Sequence, residues 1–178
     1  MDDSTRKKRM AELAVNFVRT KDSFDKTTTY REKTFSEYTD GNGTTIVADL
    51  VTSDSSTSPD PSLYLGLRYV GKEWIFFKSC IIMVGDRQVY ASSDFGKQEV
   101  SNGHVVESML LGGADALAVA DIIAKAGSEP VKVRLRGEYV EDFTLRPAHQ
   151  KAIAKTLELW RLMGGSWEDF WTVSTGDH

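Results

Sequence analysis

The sequence is poor in the residues that build disulfides and metal sites. It has one cysteine, Cys80, and three histidines, His104, His149 and His178, which lie far apart in a chain of 178 residues. A single cysteine excludes an intramolecular disulfide, and Cys80 lies in an apolar run where we expect a buried, inert thiol. Because no C-x-x-C or H-x-x-x-H spacing is present, we predict no metal site.

Long apolar runs and the common catalytic motifs are also missing. No apolar run approaches the roughly 20 residues that span a bilayer, and the start, MDDSTRKKRMAEL, lacks the apolar core of a signal peptide. These absences predict a cytoplasmic protein that does not enter the membrane. The sequence has no Walker A loop, no G-x-S-x-G elbow and no G-x-G-x-x-G turn, so we predict no cofactor.

What is present is the composition of an ordinary globular domain. Hydrophobic residues make up 40% of the chain and charged residues 27%, and the net charge is −4. Such a mildly acidic protein is not steered toward nucleic acid by its overall field, so any basic surface must be local. We divide the chain into an N-terminal helical arm (residues 1–20), a single α+β domain (residues 21–165) and a C-terminal aromatic tail (residues 166–178).

The order of apolar patterns predicts an α+β fold. Apolar residues at helical spacing, with Ser4 or Thr5 as the cap, indicate an N-terminal helix: Met10, Leu13, Ala14, Phe17 and Val18. A β-rich middle follows, in which DGNG (Asp40–Gly43) is a hairpin signal, and TTTYREKTFSEYT before it indicates a strand. We expect about six to eight strands in a mainly antiparallel sheet or sandwich, with two later helices packed on it.

Two further segments of the predicted sheet have a definite reading. EWIFFKSCIIMV has apolar residues on both faces, which is typical of a central strand covered on both sides. Later, VKVRLRGEYVEDFTLRPAHQKAI (residues 131–153) predicts a strand, a turn at Glu141–Asp142 and a helix that begins at Pro147. The core-facing residues of that helix are expected to be Ile153, Leu157 and Trp160.

Three cations alternate with aliphatic residues in this last strand. Strand geometry places Lys132, Arg134 and Arg136 on one face, about 6.6 Å apart. This spacing resembles the distance between neighbouring phosphates or acidic side chains, so the row is a candidate anion-binding site for a nucleotide or nucleic acid. The alternative, which we favour, is a solvent-facing row that also protects a sheet edge from aggregation.

The tail GGSWEDFWTVSTGDH offers a second candidate site. Trp167, Phe170 and Trp171 are spaced at i, i+3 and i+4, so one helical turn would present all three side chains together. An exposed cluster of aromatic residues would mark a site for a protein partner. The alternative, which we favour, is that the turn folds back and covers the core.

Acidic and histidine side chains show no catalytic arrangement. His104 and Glu107 are three residues apart on a predicted strand and therefore face opposite sides. Glu138, Glu141 and Asp142 lie near arginines at a strand end, where acids and bases usually form surface ion pairs. We predict no catalytic residue and no enzymatic activity.

Several of these segments resemble an uncharacterised β-rich domain that recurs in bacterial lipoproteins and phage-encoded proteins. The resemblance rests on DSFDKTTTY, LYLGLRYVGKEWIFFKS, RQVY, VVES and VKVRLRGEYVEDFTLRPAHQKAI, and it covers about residues 20 to 163. The chain departs from the pattern in two respects. It lacks the lipoprotein signal, and Arg146 and His149 replace the Ser and Glu of a capping box at the last helix.

The resemblance implies a fold but no activity. We expect a non-enzymatic protein-interaction or regulatory module, and the resemblance adds that it is phage-encoded and acts on a host protein. The alternative is a module that binds an anionic ligand through Lys132, Arg134 and Arg136. A protein partner is therefore expected, while nucleic acid is the less favoured ligand.

Overall fold

The computed structural model describes residues 1–36, 43–55, 60–92, 96–101 and 103–165. This part of the chain contains four helices and ten strands, most of them joined by short connections. In chain order they are α1 (Asp3–Ala14), β1 (Phe17–Asp22), β2 (Thr27–Glu32), α2 (Lys33–Ser36), β3 (Thr45–Ser53), β4 (Ser62–Gly71), β5 (Ser79–Val84), β6 (Arg87–Ser92), β7 (Gly96–Ser101), β8 (His104–Leu111), α3 (Gly113–Lys125), β9 (Val131–Arg136), β10 (Val140–Thr144) and α4 (Pro147–Leu162).

The strands form two sheets. Six strands lie in the order β1-β2-β3-β4-β8-β7, and four lie in the order β10-β9-β5-β6. Neighbouring strands pair antiparallel in both sheets. The predicted α+β class, with its antiparallel sheets, N-terminal helix and two later helices, is confirmed.

The two later helices bury the inner faces of the sheets. α4 packs on β2, β3 and β4, while α3 contacts one strand of each sheet, β4 and β5. The apolar stripe of α4 is buried as predicted, with Ile153, Leu157 and Trp160 at most 1% exposed. Pro147 occupies the first turn of α4, where its missing N–H costs no hydrogen bond, so this predicted start is also confirmed.

The N-terminal helix is shorter than its apolar spacing indicated. The carboxylate of Asp2, rather than Ser4 or Thr5, caps it by accepting a hydrogen bond from the backbone N–H of Thr5 at 2.8 Å. α1 ends at Ala14, and the last two apolar positions of the predicted stripe, Phe17 and Val18, begin β1 instead. α1 also packs on α4, since the guanidinium of Arg6 donates to the carbonyl of Leu162 (2.9 Å).

The run EWIFFKSCIIMV is not the single strand that we predicted. Only residues 79–84 form a strand, β5; residues 73–78 before it belong to no strand, and Phe76 has a left-handed backbone with φ of 53°. Glu107 of β8 is buried, and its carboxylate accepts the backbone N–H groups of Ile75 (2.7 Å) and Phe77 (3.1 Å). These N–H groups therefore donate to a side chain of the six-stranded sheet instead of to the backbone of a strand next to them.

The turn after β9 also differs from the prediction. Chain reversal occurs at residues 137–139, and the acids expected in the turn, Glu141 and Asp142, lie within β10. Gly137 is needed there because a Cβ atom would lie 2.5 Å from the carbonyl oxygen of Ile75 and overlap that of Phe76. The turn is therefore fitted against the irregular segment that Glu107 holds.

The segment around the hairpin signal is only partly described. β2 ends at Glu32 and α2 begins at Lys33, so the strand predicted for TTTYREKTFSEYT is shorter than expected. Residues 40–42 of the DGNG signal lie outside the described residues, while Gly43 has φ of 89°. β2 and β3, the strands on either side of this signal, pair antiparallel, as a hairpin requires.

Candidate functional site

The cationic row lies on the face of the four-stranded sheet that points away from the core, which we call the outer face. β9 alternates strictly between buried and exposed side chains. Its buried residues are Val131, Val133 and Leu135, and its exposed residues are Lys132, Arg134 and Arg136. The predicted half-buried strand with its cations on one side is thus confirmed.

β9 is an interior strand, paired with β10 on one side and β5 on the other. The row therefore does not protect a sheet edge, and that part of our interpretation is wrong. The strand register places Arg134 between Ile81 of β5 and Asp142 of β10. In the adjacent row, Lys132 lies between Met83 of β5 and Thr144 of β10.

Arg134 and Asp142 form a bidentate ion pair across the two strands. The guanidinium donates from Nε to Oδ1 and from Nη2 to Oδ2, both at 2.7 Å. The hydrogen bond to Asp142 raises the pKa of Arg134, and the hydrogen bond from Arg134 lowers the pKa of Asp142. Both groups therefore keep their charge over the physiological pH range.

A shallow concavity of about 470 Å³ opens on the outer face around this ion pair. Its wall combines apolar side chains with one free cation and one ion pair, because the strand register places residues of β5, β9 and β10 side by side, with β9 in the middle. Met83 is 40% exposed, which is high for a residue in a central strand. The lining residues are Ile81, Met83, Gln88, Lys132, Val133, Arg134, Asp142, Phe143 and Thr144.

The other two cations of the row differ from Arg134. Lys132 and Arg136 are exposed, and within the described part of the chain neither side chain forms an ion pair. Lys132 borders the concavity, while Arg136 lies beyond it, in the row with Ser79 of β5 and Val140 of β10. The outer face thus carries two available positive charges with a neutralised pair between them.

The remaining predicted positions do not join this site. Trp167, Phe170 and Trp171 lie outside the described residues. His104 is exposed and Glu107 is buried, so they face opposite sides as predicted, and Glu107 binds backbone as described above. Among the described residues, no group of three or more His, Cys, Asp or Glu side chains is placed to hold a metal ion.

In the sequence, His149 was noted only as a departure from a capping box, and its place as a buried polar residue of α4 was not predicted. Its ring is 2% exposed, its Nδ1 lies 2.6 Å from Oγ1 of Thr45, and its ring centroid is 5.3 Å from that of Phe35. Burial is the main cause that lowers the pKa of His149, and the positive charge of Arg146 adds to it. Its position four residues before Ile153, on the buried stripe, was the available signal.

We expect the protein to lose stability as the pH falls past the ordinary histidine pKa. Because folding lowers the pKa of His149, the unfolded chain binds the proton more readily, so this contribution is present above pH 6.5 and is lost below it. Urea unfolding measured between about pH 7 and pH 5 tests this, since a histidine titrates in that window. His149→Gln should flatten the decline; an equal slope for the parent protein and His149→Gln would contradict the prediction.

No protein-family model matches the chain, and neither does any curated protein or solved structure. The resemblance named above therefore remains a prediction. Within the described residues, no helix is long and apolar enough to cross a membrane.

Proposed function

We propose that the protein is a non-enzymatic interaction module that holds a segment of a partner protein on the outer face of its four-stranded sheet. The observation that carries this proposal is the concavity of about 470 Å³ beside the exposed side chain of Met83. The partner is expected to be a host protein, a prediction that rests on the resemblance to phage-encoded proteins.

The chemistry of the concavity suits a peptide segment. Protein interfaces combine an apolar centre with a polar rim, and here Ile81 and Met83 lie beside Lys132 and the Arg134–Asp142 ion pair. A methionine side chain is flexible and polarisable, so it adapts to different apolar groups. The aliphatic stem of Lys132 extends this apolar surface while its ammonium group stays in water.

The charged groups of the concavity are arranged for binding and orientation. A general acid or base works best with a pKa near the operating pH. The pair between Arg134 and Asp142 moves both pKa values further from neutrality, because each charged form stabilises the other. This supports a binding role for the concavity over proton transfer.

The alternative function is binding of a nucleotide or nucleic acid through Lys132, Arg134 and Arg136. It is supported by the exposure of all three cations on one face. It is weakened by the ion pair, because Asp142 already occupies the Nε and Nη2 donors with which Arg134 would bind a phosphate in a bidentate manner.

Photo-crosslinking at the rim of the concavity tests the proposal. A photoreactive phenylalanine at Gln88 should form protein adducts in extract of the native cells, and the same residue at Lys8, exposed on α1, should not. Adding Met83→Ser should reduce the Gln88 adducts while the melting temperature stays close to that of the parent variant. Equal adducts at both positions, or adducts that nuclease removes, would overturn a protein-binding role for this face.

A further inference from the structure

We propose that the segment held on the outer face is extended and carries two acidic side chains four residues apart, with an apolar side chain midway between them. This inference rests on the proposed function and specifies the chemistry of the partner. It follows from the spacing of charges along β9 and from the apolar residues of β5 next to it.

The available positive charges are widely separated. Lys132 and Arg136 point to the same face and are four residues apart, which corresponds to about 13 Å along a strand. Arg134, the cation between them, is neutralised by Asp142 at 2.7 Å. The face therefore presents two positive positions and a neutral centre, which is a more specific pattern than a continuous basic stripe.

The neutral centre has an apolar neighbour. Ile81 lies opposite Arg134 and Met83 lies opposite Lys132 in the pairing of β5 with β9. An apolar side chain of the ligand placed over the ion pair would contact Ile81 and reach Met83. It would bury apolar area without taking an unpaired charge out of water, because Arg134 already has a partner. The ligand position between the two acids is therefore expected to be aliphatic.

The spacing selects an extended segment over a helical one. In an extended chain, residues i, i+2 and i+4 point to one side, and residues i and i+4 are about 13 Å apart. In a helix, residues i and i+4 are only about 6 Å apart, so two acids at that spacing could not reach both cations. A pattern of acid, any residue, aliphatic, any residue, acid fits Lys132 and Arg136 only when the segment is extended.

Titration of the 15N-labelled full-length protein with two short peptides tests this inference. The first peptide, SDSLSDS, has the expected pattern, and the second, SSDLDSS, has the same composition with the acids two residues apart. We expect the first to shift the amide signals of Ile81, Arg134 and Thr144 and to bind roughly fivefold more tightly or better, because only its acids reach both cations. An oligothymidylate serves as the nucleic-acid probe.

Substitutions at the two cations provide the matched controls. Lys132→Gln and Arg136→Gln should each lower the affinity for SDSLSDS by about two- to fivefold, the usual effect of removing one exposed charge contact. Lys8→Gln should leave this affinity unchanged. Higher salt should weaken binding to the parent protein more than to either variant.

Three outcomes of the titration count against the inference. Equal affinity for the two peptides, no shift on the outer face with millimolar SDSLSDS, or tighter binding of the oligothymidylate would overturn it. If the crosslinks at Gln88 form but the peptides are not distinguished, the proposed function stands and the inferred ligand pattern is wrong. If the peptides are distinguished but no protein crosslinks form at Gln88, the face recognises this chemistry while its role as a partner site fails.

Discussion

Replacement of Glu107 by alanine is expected to lower the free energy of unfolding by about 4 kcal/mol. The carboxylate is buried and accepts the backbone N–H groups of Ile75 and Phe77 at 2.7 and 3.1 Å. Its removal leaves two buried donors without an acceptor, at about 1–3 kcal/mol each, and opens a cavity as well. Urea or thermal unfolding of the purified variant measures the loss.

Two variants separate the hydrogen bonds from the volume of the side chain. Glu107→Gln keeps the volume but places an amide NH2 group where a backbone N–H donates, so we expect it to cost more than half as much as Glu107→Ala. Glu138→Gln removes an exposed carboxylate from the turn after β9 and should change stability by less than about 0.5 kcal/mol. A Glu107→Gln protein as stable as the parent would show that the carboxylate is not needed.

Replacement of Trp160 by alanine is expected to cost about 4–5 kcal/mol of unfolding free energy. The indole is 1% exposed in the core, and its Nε1 donates to the carbonyl of Pro61 at 3.0 Å, just before β4. Large-to-small changes at buried aromatic residues usually cost about 3–5 kcal/mol, and here the carbonyl of Pro61 also loses its donor. The melting temperature and the midpoint of urea unfolding both report the effect.

A second tryptophan offers a matched comparison. Trp74 is partly buried and stacks on Phe76 with ring centroids 6.1 Å apart, and within the described part of the chain its indole N–H has no hydrogen-bond partner. Trp160→Phe should cost about 2 kcal/mol, because it removes both volume and a buried hydrogen bond. Trp74→Phe should cost less than half of that. Equal effects would mean that the bond to Pro61 contributes little.

The periodicity of apolar residues correctly predicted the strand and the helix that each bury one face. The alternation of β9 and the apolar stripe of α4 around Ile153 are consequences of one buried face, and such a face is visible in sequence. Gly127, two residues beyond α3, has the left-handed φ of 62° that a helix C-terminus favours, and a glycine at this position is a local signal. These predictions needed no knowledge of distant contacts.

The irregular segment before β5 was not accessible to the same reasoning. Its apolar residues are typical of a buried strand, but the acceptor for Ile75 and Phe77 is Glu107, about 30 residues later in the chain. A single sequence gives no sign that a glutamate in an apolar strand points inward to bind backbone. The opposite orientation of His104 and Glu107 was predicted, while the role of Glu107 depended on a tertiary contact.

The cations of the candidate site were predicted from the sequence, but their pairing was not, because it depends on a tertiary contact. The cationic row was recognised from β9 alone, but the pairing of Arg134 with Asp142 depends on where the next turn lies. We placed the turn at Glu141–Asp142, whereas the close approach of Gly137 to the backbone of Phe76 moves it to residues 137–139. That shift turns Asp142 from a turn residue into the direct partner of Arg134.

Glu107 also connects the two sheets through a chain of hydrogen bonds. It belongs to β8 of the six-stranded sheet, and the segment that it holds receives a hydrogen bond from the turn between β9 and β10, where the N–H of Tyr139 donates to the carbonyl of Ile75 at 3.2 Å. The turn between β9 and β10 in the four-stranded sheet is therefore supported by a residue of the six-stranded sheet. A substitution at Glu107 is therefore expected to shift the β9–β10 turn, and with it the proposed site on the outer face, without changing any residue of that face.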